Sequence, residues 1–177
     1  QIVEFGASIG IFFACILLPL LDFGIIPVRW MMARELITKA TRQISYCETF
    51  SQALTKLKAD GQLVNDLQRL GGVEIDHIAV KLTISRIPTK AGNSAESITV
   101  CAPHEIPKEW LPDGAKAPCT YTIGLDAGLK MFPALVFKAG SLPMPGLTAP
   151  ILFNINAMRE WEHSGRDPVT GKFFIGE

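Results

Sequence analysis

The spacing of the hydrophobic positions changes twice along this chain. From Phe5 to Val28 nearly every position is apolar, and only Ser8 and Asp22 are markedly polar. At about 1.5 Å of rise per residue, a helix over this stretch is roughly 36 Å long, whereas the hydrocarbon core of a bilayer is about 30 Å thick. The pattern therefore predicts a membrane-spanning helix over residues 5–28.

Beyond this run, the hydrophobic spacing becomes that of an amphipathic helix. Apolar residues recur every three or four positions, which places them on one face of a helix. They are Ala33, Leu36, Ile37, Ala40, Ile44, Cys47, Phe50, Leu54 and Leu57. Asp60 and Gly61 interrupt the pattern, so it predicts one long helix over residues 1–59. A short helix and connector over residues 60–72 follows.

From residue 73 the hydrophobic period falls to two, which is typical of a strand with one buried face. Ile78, Val80, Leu82 and Ile84 alternate with polar or small residues. Further strands are predicted within residues 97–102, 119–125, 133–139 and 150–158, separated by turn-forming segments. We predict an α+β fold in which a long N-terminal α-helix, apolar and then amphipathic, packs on a small antiparallel β-sheet domain. That β-rich head covers residues 73–177.

Charge and composition exclude several functional classes. The chain has 17 basic and 17 acidic residues among its 177, so no net field attracts nucleic acid, and none is expected as a partner. Its three histidines share no metal-ligand spacing, and no phosphate-binding loop or nucleophile elbow occurs. We therefore expect no enzyme activity, no catalytic residues, no metal and no cofactor.

The cysteines and the basic residues favour opposite topologies for the predicted span. Basic residues from Arg29 onward follow it, which by the positive-inside tendency places the C-terminal part in the cytoplasm. A basic leader removed during maturation reverses that orientation, and a disulfide agrees with export. Cys101 and Cys119, in a turn-rich region, are the candidate disulfide, with Cys47 as a competing partner. Cys15 lies inside the span and is expected to be a packing residue.

Several residues within the apolar run are unusual for a plain membrane anchor. Gly6, Gly10 and Ala14 form a small-residue stripe that fits close helix packing, and equally the general abundance of such residues in membrane helices. Pro19 lacks an amide hydrogen, so the helix is expected to kink or open in the turn before it. Asp22 lies near enough to the end of the span to reach the headgroups.

Two motifs resemble those of TadE-like proteins, the pilin-like subunits of tight-adherence systems, and more broadly a processed type IV pilin. The first 45 residues carry "VEF", an apolar run and "LPLLDFG", and "LFNINAMRE" at residues 152–160 is similar to the end of the family. The resemblance implies a precursor whose short basic leader is cut by a prepilin peptidase, leaving a processed N terminus at Gln1. It also implies that Glu4 neutralises the N-terminal amine of a neighbouring subunit, although an acid at a helix start is also favoured by the helix dipole.

The resemblance implies a structural subunit of an extracellular, type IV pilus-like filament on the cell surface. The chain is then a single-pass membrane protein before assembly, with its head outside the cytoplasm, and its partners are copies of itself, the lipid bilayer, the prepilin peptidase and the pilus assembly machinery. The assembly residues expected on this basis are Gln1, Glu4, Phe5, Gly6, Gly10, Ala14, Pro19 and Asp22. The alternatives are a membrane-anchored exported binding domain that does not polymerise, and a minor pseudopilin that primes or tips a pilus.

Overall fold

The computed structural model describes residues 2–47, 50–86, 96–101, 107, 110, 119–133, 145 and 149–161. Within its helices, the side chains of residues 2–4, 14, 18, 19, 22, 50, 51, 59 and 60 are not described. The described part is an α+β structure with four α-helices and a four-stranded antiparallel sheet. The predicted fold class is confirmed at this level.

The helices all precede the sheet in the chain. Helix α1 covers Ile2–Phe12, and a short π-helix covers Phe13–Leu17. Helix α2 is the longest and covers Leu18–Ser45, α3 covers Phe50–Asp60 and α4 covers Gln62–Arg69. Helix α4 agrees with the predicted short helix, and the glycines that follow it, Gly71 and Gly72, both have a φ of +65°.

The single long helix predicted over residues 1–59 is not confirmed. The helical backbone changes its hydrogen-bond pattern at Phe13–Leu17, and α2 ends at Ser45. At that end, the hydroxyl of Ser45 donates a hydrogen bond to the carbonyl oxygen of Arg42, and the N–H of Cys47 donates to Ile44. Both bonds span three residues, so they tighten the last turn and compete with the four-residue ladder that continues an α-helix.

The sheet has the strand order β2-β1-β3-β4, with β1 at Val73–Arg86, β2 at Glu96–Cys101, β3 at Cys119–Met131 and β4 at Ile151–Glu160. All neighbours pair antiparallel. These four strands confirm four of the predicted ones, and β3 continues six residues beyond the predicted end because its apolar alternation runs on past Leu125. Residues 134–139 of the remaining predicted strand lie outside the described residues.

The main hydrophobic core lies between α2 and the inner face of the sheet. Helix α2 contributes the predicted apolar stripe, and α3 and α4 pack back against the same helix. The alternation predicted for β1 is also confirmed, since Val80, Leu82 and Ile84 are buried and the residues between them are not. The inner face of β3 completes the core with Leu125 and Leu129, both fully buried.

Candidate assembly surface

The described apolar side chains of residues 5–24, which we call the N-terminal apolar segment, are almost all exposed. The exposed fraction is 68% for Phe5, 64% for Ile11 and 65% for Leu20. The other exposed large apolar side chains of the segment are Ile9, Phe12, Phe13, Ile16, Leu21 and Phe23. A surface that exposes nine large apolar side chains along one segment normally marks an interaction site.

The first buried side chains appear where α2 reaches the sheet, and on the opposite side of the helix Val28, Met31 and Met32 are still exposed. Ile26 is the first buried residue along the chain in the described part, with 4% of its surface exposed, and Ala33 and Ile37 are fully buried. The two ends of α2 therefore lie in different environments. Its C-terminal part belongs to the hydrophobic core, whereas its first turns continue the N-terminal apolar segment.

A clamp fixes α2 at this boundary. The guanidinium of Arg29 donates a hydrogen bond to the carbonyl oxygen of Phe132 over 2.6 Å, and the N–H of Phe132 donates to Gly72 over 2.8 Å. The guanidinium of Arg29 fits against Gly72 because glycine has no side chain. A Cβ atom at this position would lie 2.7 Å from Nη1 of Arg29. No pattern in the sequence predicts this contact, since Arg29, Gly72 and Phe132 are distant along the chain.

Positive side chains begin at the same boundary and lie against aromatic rings. The guanidinium carbon of Arg34 is 5.4 Å from the ring centre of Trp30. Arg42 is 5.9 Å from the ring of Tyr46, and its Nε donates a hydrogen bond to the Tyr46 hydroxyl over 3.2 Å. These contacts hold the basic side chains along α2, beyond the N-terminal apolar segment.

Some of the predicted assembly residues can be placed. Phe5, Gly6 and Gly10 lie exposed on α1, and a Cβ atom added at either glycine would meet nothing within 4 Å, so this part of the stripe is open. The backbone of Glu4 lies in α1, but its side chain is not described. The same holds for the side chains of Ala14, Pro19 and Asp22, and Gln1 lies outside the described residues altogether.

The backbone near Pro19 departs from α-helical geometry. The π-helix at Phe13–Leu17 immediately precedes Leu18 and Pro19, which open α2. Proline cannot donate the hydrogen bond that an α-helix requires from its position, so the ladder one turn earlier has to change. The change lies where the sequence predicted a kink or local opening.

Within the described residues, no single helix has both the length and the apolar character needed to cross a membrane. The span predicted over residues 5–28 is therefore not found as one helix, and its residues are divided among α1, the π-helix and α2.

The predicted disulfide between Cys101 and Cys119 is not present in the structure. Cys101 lies opposite Lys81 of β1, whereas Cys119 lies opposite Arg86 on the other side of that strand. The two cysteines are therefore about 10 Å apart across the sheet and about 16 Å along it, and a disulfide requires Cα atoms within about 7 Å. The competing partner Cys47 is buried beyond the end of α2, and burial raises the pKa of its thiol.

The outer face of the sheet, which points away from the helices, carries two ion pairs. Lys81 binds Asp126 across β1 and β3, and Nζ of Lys130 is 2.9 Å from Oδ1 of Asp76. The hydrogen bond from Lys130, followed by that from His77, lowers the pKa of Asp76, while the partner carboxylates raise the pKa values of Lys81 and Lys130. Each group has its complementary charge, as expected of a structural pair.

Among the side chains that the structure describes, no group of three or more histidine, cysteine, aspartate or glutamate residues is placed to hold a metal ion. The exposed side chains of the N-terminal apolar segment are a feature of the described molecule that suggests an interaction. Comparisons with models of known protein families, with characterised proteins and with solved structures find no match for this chain.

Proposed function

We propose that this protein is a structural subunit of an extracellular, type IV pilus-like filament of the TadE-like kind. The N-terminal apolar segments of neighbouring copies pack together as the filament core, and the β-sheet head is displayed outside. The observation that carries the proposal is the exposure of the segment from Phe5 to Phe23, next to a head whose own core begins at Ile26.

The energetics favour association of this segment with copies of itself. Nine large apolar side chains in it are exposed, and full burial of one such side chain stabilises by about 1.5–3 kcal/mol. Partial burial of all nine is therefore worth on the order of 10 kcal/mol, before the entropic cost of association is subtracted. This driving force applies once the segment leaves the lipid bilayer, which covers the same side chains before assembly.

The individual residues have distinct roles in this proposal. Glu4 pairs with the N-terminal amine at Gln1 of a neighbouring subunit, which sets the axial register, because neither charge is stable alone among apolar helices. The open backbone at Gly6 and Gly10 lets a neighbouring helix approach closely. The π-helix before Pro19 gives the packed segment a point at which it can loosen.

Cell fractionation tests the filament directly. Cells that make this protein are sheared, and the released material is examined by electron microscopy and mass spectrometry. We expect filaments that contain this chain and depend on a prepilin peptidase. If the chain instead stays in the membrane fraction as a monomer, it is an anchored domain and the filament proposal is wrong.

Cys15 reports whether the segment is buried between copies. Its side chain is exposed in the single chain, so a water-soluble maleimide should leave it unlabelled in filaments and label it after the filaments are dissociated in denaturant. Gly10→Leu should abolish assembly by blocking close approach, whereas the volume-conserving change Ile11→Leu should preserve it. Equal assembly of both variants would exclude tight packing at Gly10.

A further inference from the structure

The outer edge of β4 is the second surface of this molecule that fits a partner. In the part of the chain that the structure describes, β4 pairs only with β3, so it is an edge strand of the sheet. It is ten residues long and contains no proline, and its charged residues, Arg159 and Glu160, are confined to its end. The opposite edge strand, β2, has only six residues and begins with an exposed glutamate.

The hydrogen-bond phase of β4 follows from its last pairing. The N–H of Trp161 donates to the carbonyl oxygen of Tyr121, directly opposite in the register. Since hydrogen-bonded positions alternate along an antiparallel pair, the odd-numbered residues of β4 bond to β3. The N–H of Phe132 donates away from β4, to Gly72, which agrees with this phase. The even-numbered residues of β4 therefore direct their N–H and C=O groups outward.

All five even-numbered residues of β4 have exposed side chains, and among the odd-numbered ones Arg159 is also exposed. The even-numbered residues are Leu152, Asn154, Asn156, Met158 and Glu160. Leu152 is 68% exposed and Met158 is 52% exposed, and both lie on the outer face of the sheet. The edge thus presents main-chain donors and acceptors flanked by two apolar side chains that lie six positions apart.

This arrangement is complementary to itself. When two β4 strands pair antiparallel about a two-fold axis at Ile155, Leu152 of each copy lies opposite Met158 of the other. Asn154 likewise lies opposite Asn156, and roughly eight main-chain hydrogen bonds form. Moving the axis to Asn156 places Leu152 opposite Glu160, which opposes apolar to charged side chains, so one register is preferred.

We infer that the β4 edge binds the β4 edge of a second copy of this chain, which joins two heads into one eight-stranded sheet. A single pair of strand edges buries less than the roughly 1,200 Å² of a stable interface, so the dimer is weak. This contact is independent of the proposed filament. Within filaments, an isologous contact closes after two copies, so it would bind heads of two adjacent filaments side by side.

The test uses the full chain in detergent micelles, which cover the N-terminal apolar segment whether or not filaments form. Sedimentation analysis over a range of concentrations measures the dimer. Leu152→Lys with Met158→Lys sets like charges opposite each other across the interface and should weaken dimerisation at least tenfold. Leu152→Lys with Met158→Glu sets opposite charges there and should restore it to within about threefold of the unsubstituted chain.

The two variants separate a contact between copies from an effect within one chain, because residues 152 and 158 are about 20 Å apart along their own strand. Equal dimerisation of both variants, or a wild-type chain that stays monomeric at every concentration, would overturn the inference. Circular dichroism checks that both variants retain the fold.

Cross-linking tests the register. A mixture of Asn154→Cys and Asn156→Cys chains should give a disulfide between the two positions on oxidation, identified by mass spectrometry of the linked peptides, whereas either variant alone should give little. Hydrogen exchange should show the even-numbered β4 amides unprotected in the monomer and protected in the dimer. Protection in the monomer would mean that another part of the same chain occupies the edge, and would refute the inference.

Discussion

Alanine at Gly72 tests the clamp that fixes α2 where it leaves the sheet, and Gly71 provides a matched control. Both glycines have a φ of +65°, so alanine at either position adopts the same left-handed backbone conformation, at a cost of about 1–2 kcal/mol. A Cβ atom at Gly71 meets nothing within 4 Å, whereas one at Gly72 would lie 2.7 Å from Nη1 of Arg29. The difference between the two variants therefore isolates the contact with Arg29.

The expected magnitudes follow from this contact. Displacing the guanidinium breaks its hydrogen bond to the carbonyl of Phe132, which is partly buried and therefore worth about 1–2 kcal/mol. We expect Gly71→Ala to lower the free energy of unfolding by about 1–2 kcal/mol and Gly72→Ala by about 2–4 kcal/mol. Since 1 kcal/mol shifts the Tm of a chain of this size by about 2–4 °C, the difference is measurable.

The assay is thermal and denaturant unfolding in detergent, followed by circular dichroism, and repeated in an Arg29→Ala background. Removing the guanidinium removes the close contact, so in that background the two glycine variants should cost the same. If Gly72→Ala and Gly71→Ala are equally destabilising when Arg29 is present, the clamp contributes nothing and the reasoning fails.

Three further predictions concern the described head. Trp161→Phe should lower the free energy of unfolding by about 1–3 kcal/mol, because the buried carbonyl of Cys47 loses the indole N–H that donates to it over 2.6 Å. A change of less than about 0.5 kcal/mol in denaturant unfolding, which is the usual effect of a neutral surface substitution, would contradict this. A soluble thiol reagent at neutral pH should label Cys101 well before Cys47, whose thiol has a raised pKa and is buried, and labelling of Cys47 should follow unfolding; simultaneous labelling, read by mass spectrometry, would refute this. Lys130→Ala should raise the pKa of Asp76 towards its ordinary value of 3.8, as measured by NMR titration. Because the pKa of Asp76 is lowered in the folded state, the stabilisation from this pair is present above the unfolded-state pKa and is lost as the pH falls through the folded-state pKa. An unchanged pKa of Asp76 in the variant would exclude the ion pair.

The burial faces of the main elements could be predicted from periodicity alone. Apolar residues three and four apart place Ala33 and Ile37 in the core, and alternation does the same for Val80 and Leu82. These patterns follow from the side-chain periods of helices and strands, which can be recognised in the sequence without knowledge of the tertiary structure. The N-terminal apolar segment is also predictable as an apolar run, but the first buried position, Ile26, depends on where the sheet meets α2.

Features that depend on contacts between distant residues could not be predicted. The end of α2 involves the Ser45 hydroxyl and is followed by a carbonyl of Cys47 that Trp161 binds from the far end of the chain. The separation of Cys101 and Cys119 depends on strand register, which neither turn composition nor cysteine spacing specifies.

The boundary at Ile26 also divides the chain into two parts that mutation can alter separately. Apart from Leu17 and Ile25, which are partly buried, the described side chains before it are exposed, so substitutions there can change what the segment binds without unfolding the head. Substitutions of the buried residues after it act on the core and change the abundance of folded protein. Random mutagenesis should accordingly give two classes of variant, one defective in association but normally abundant, and the other depleted, with the division between them close to this residue.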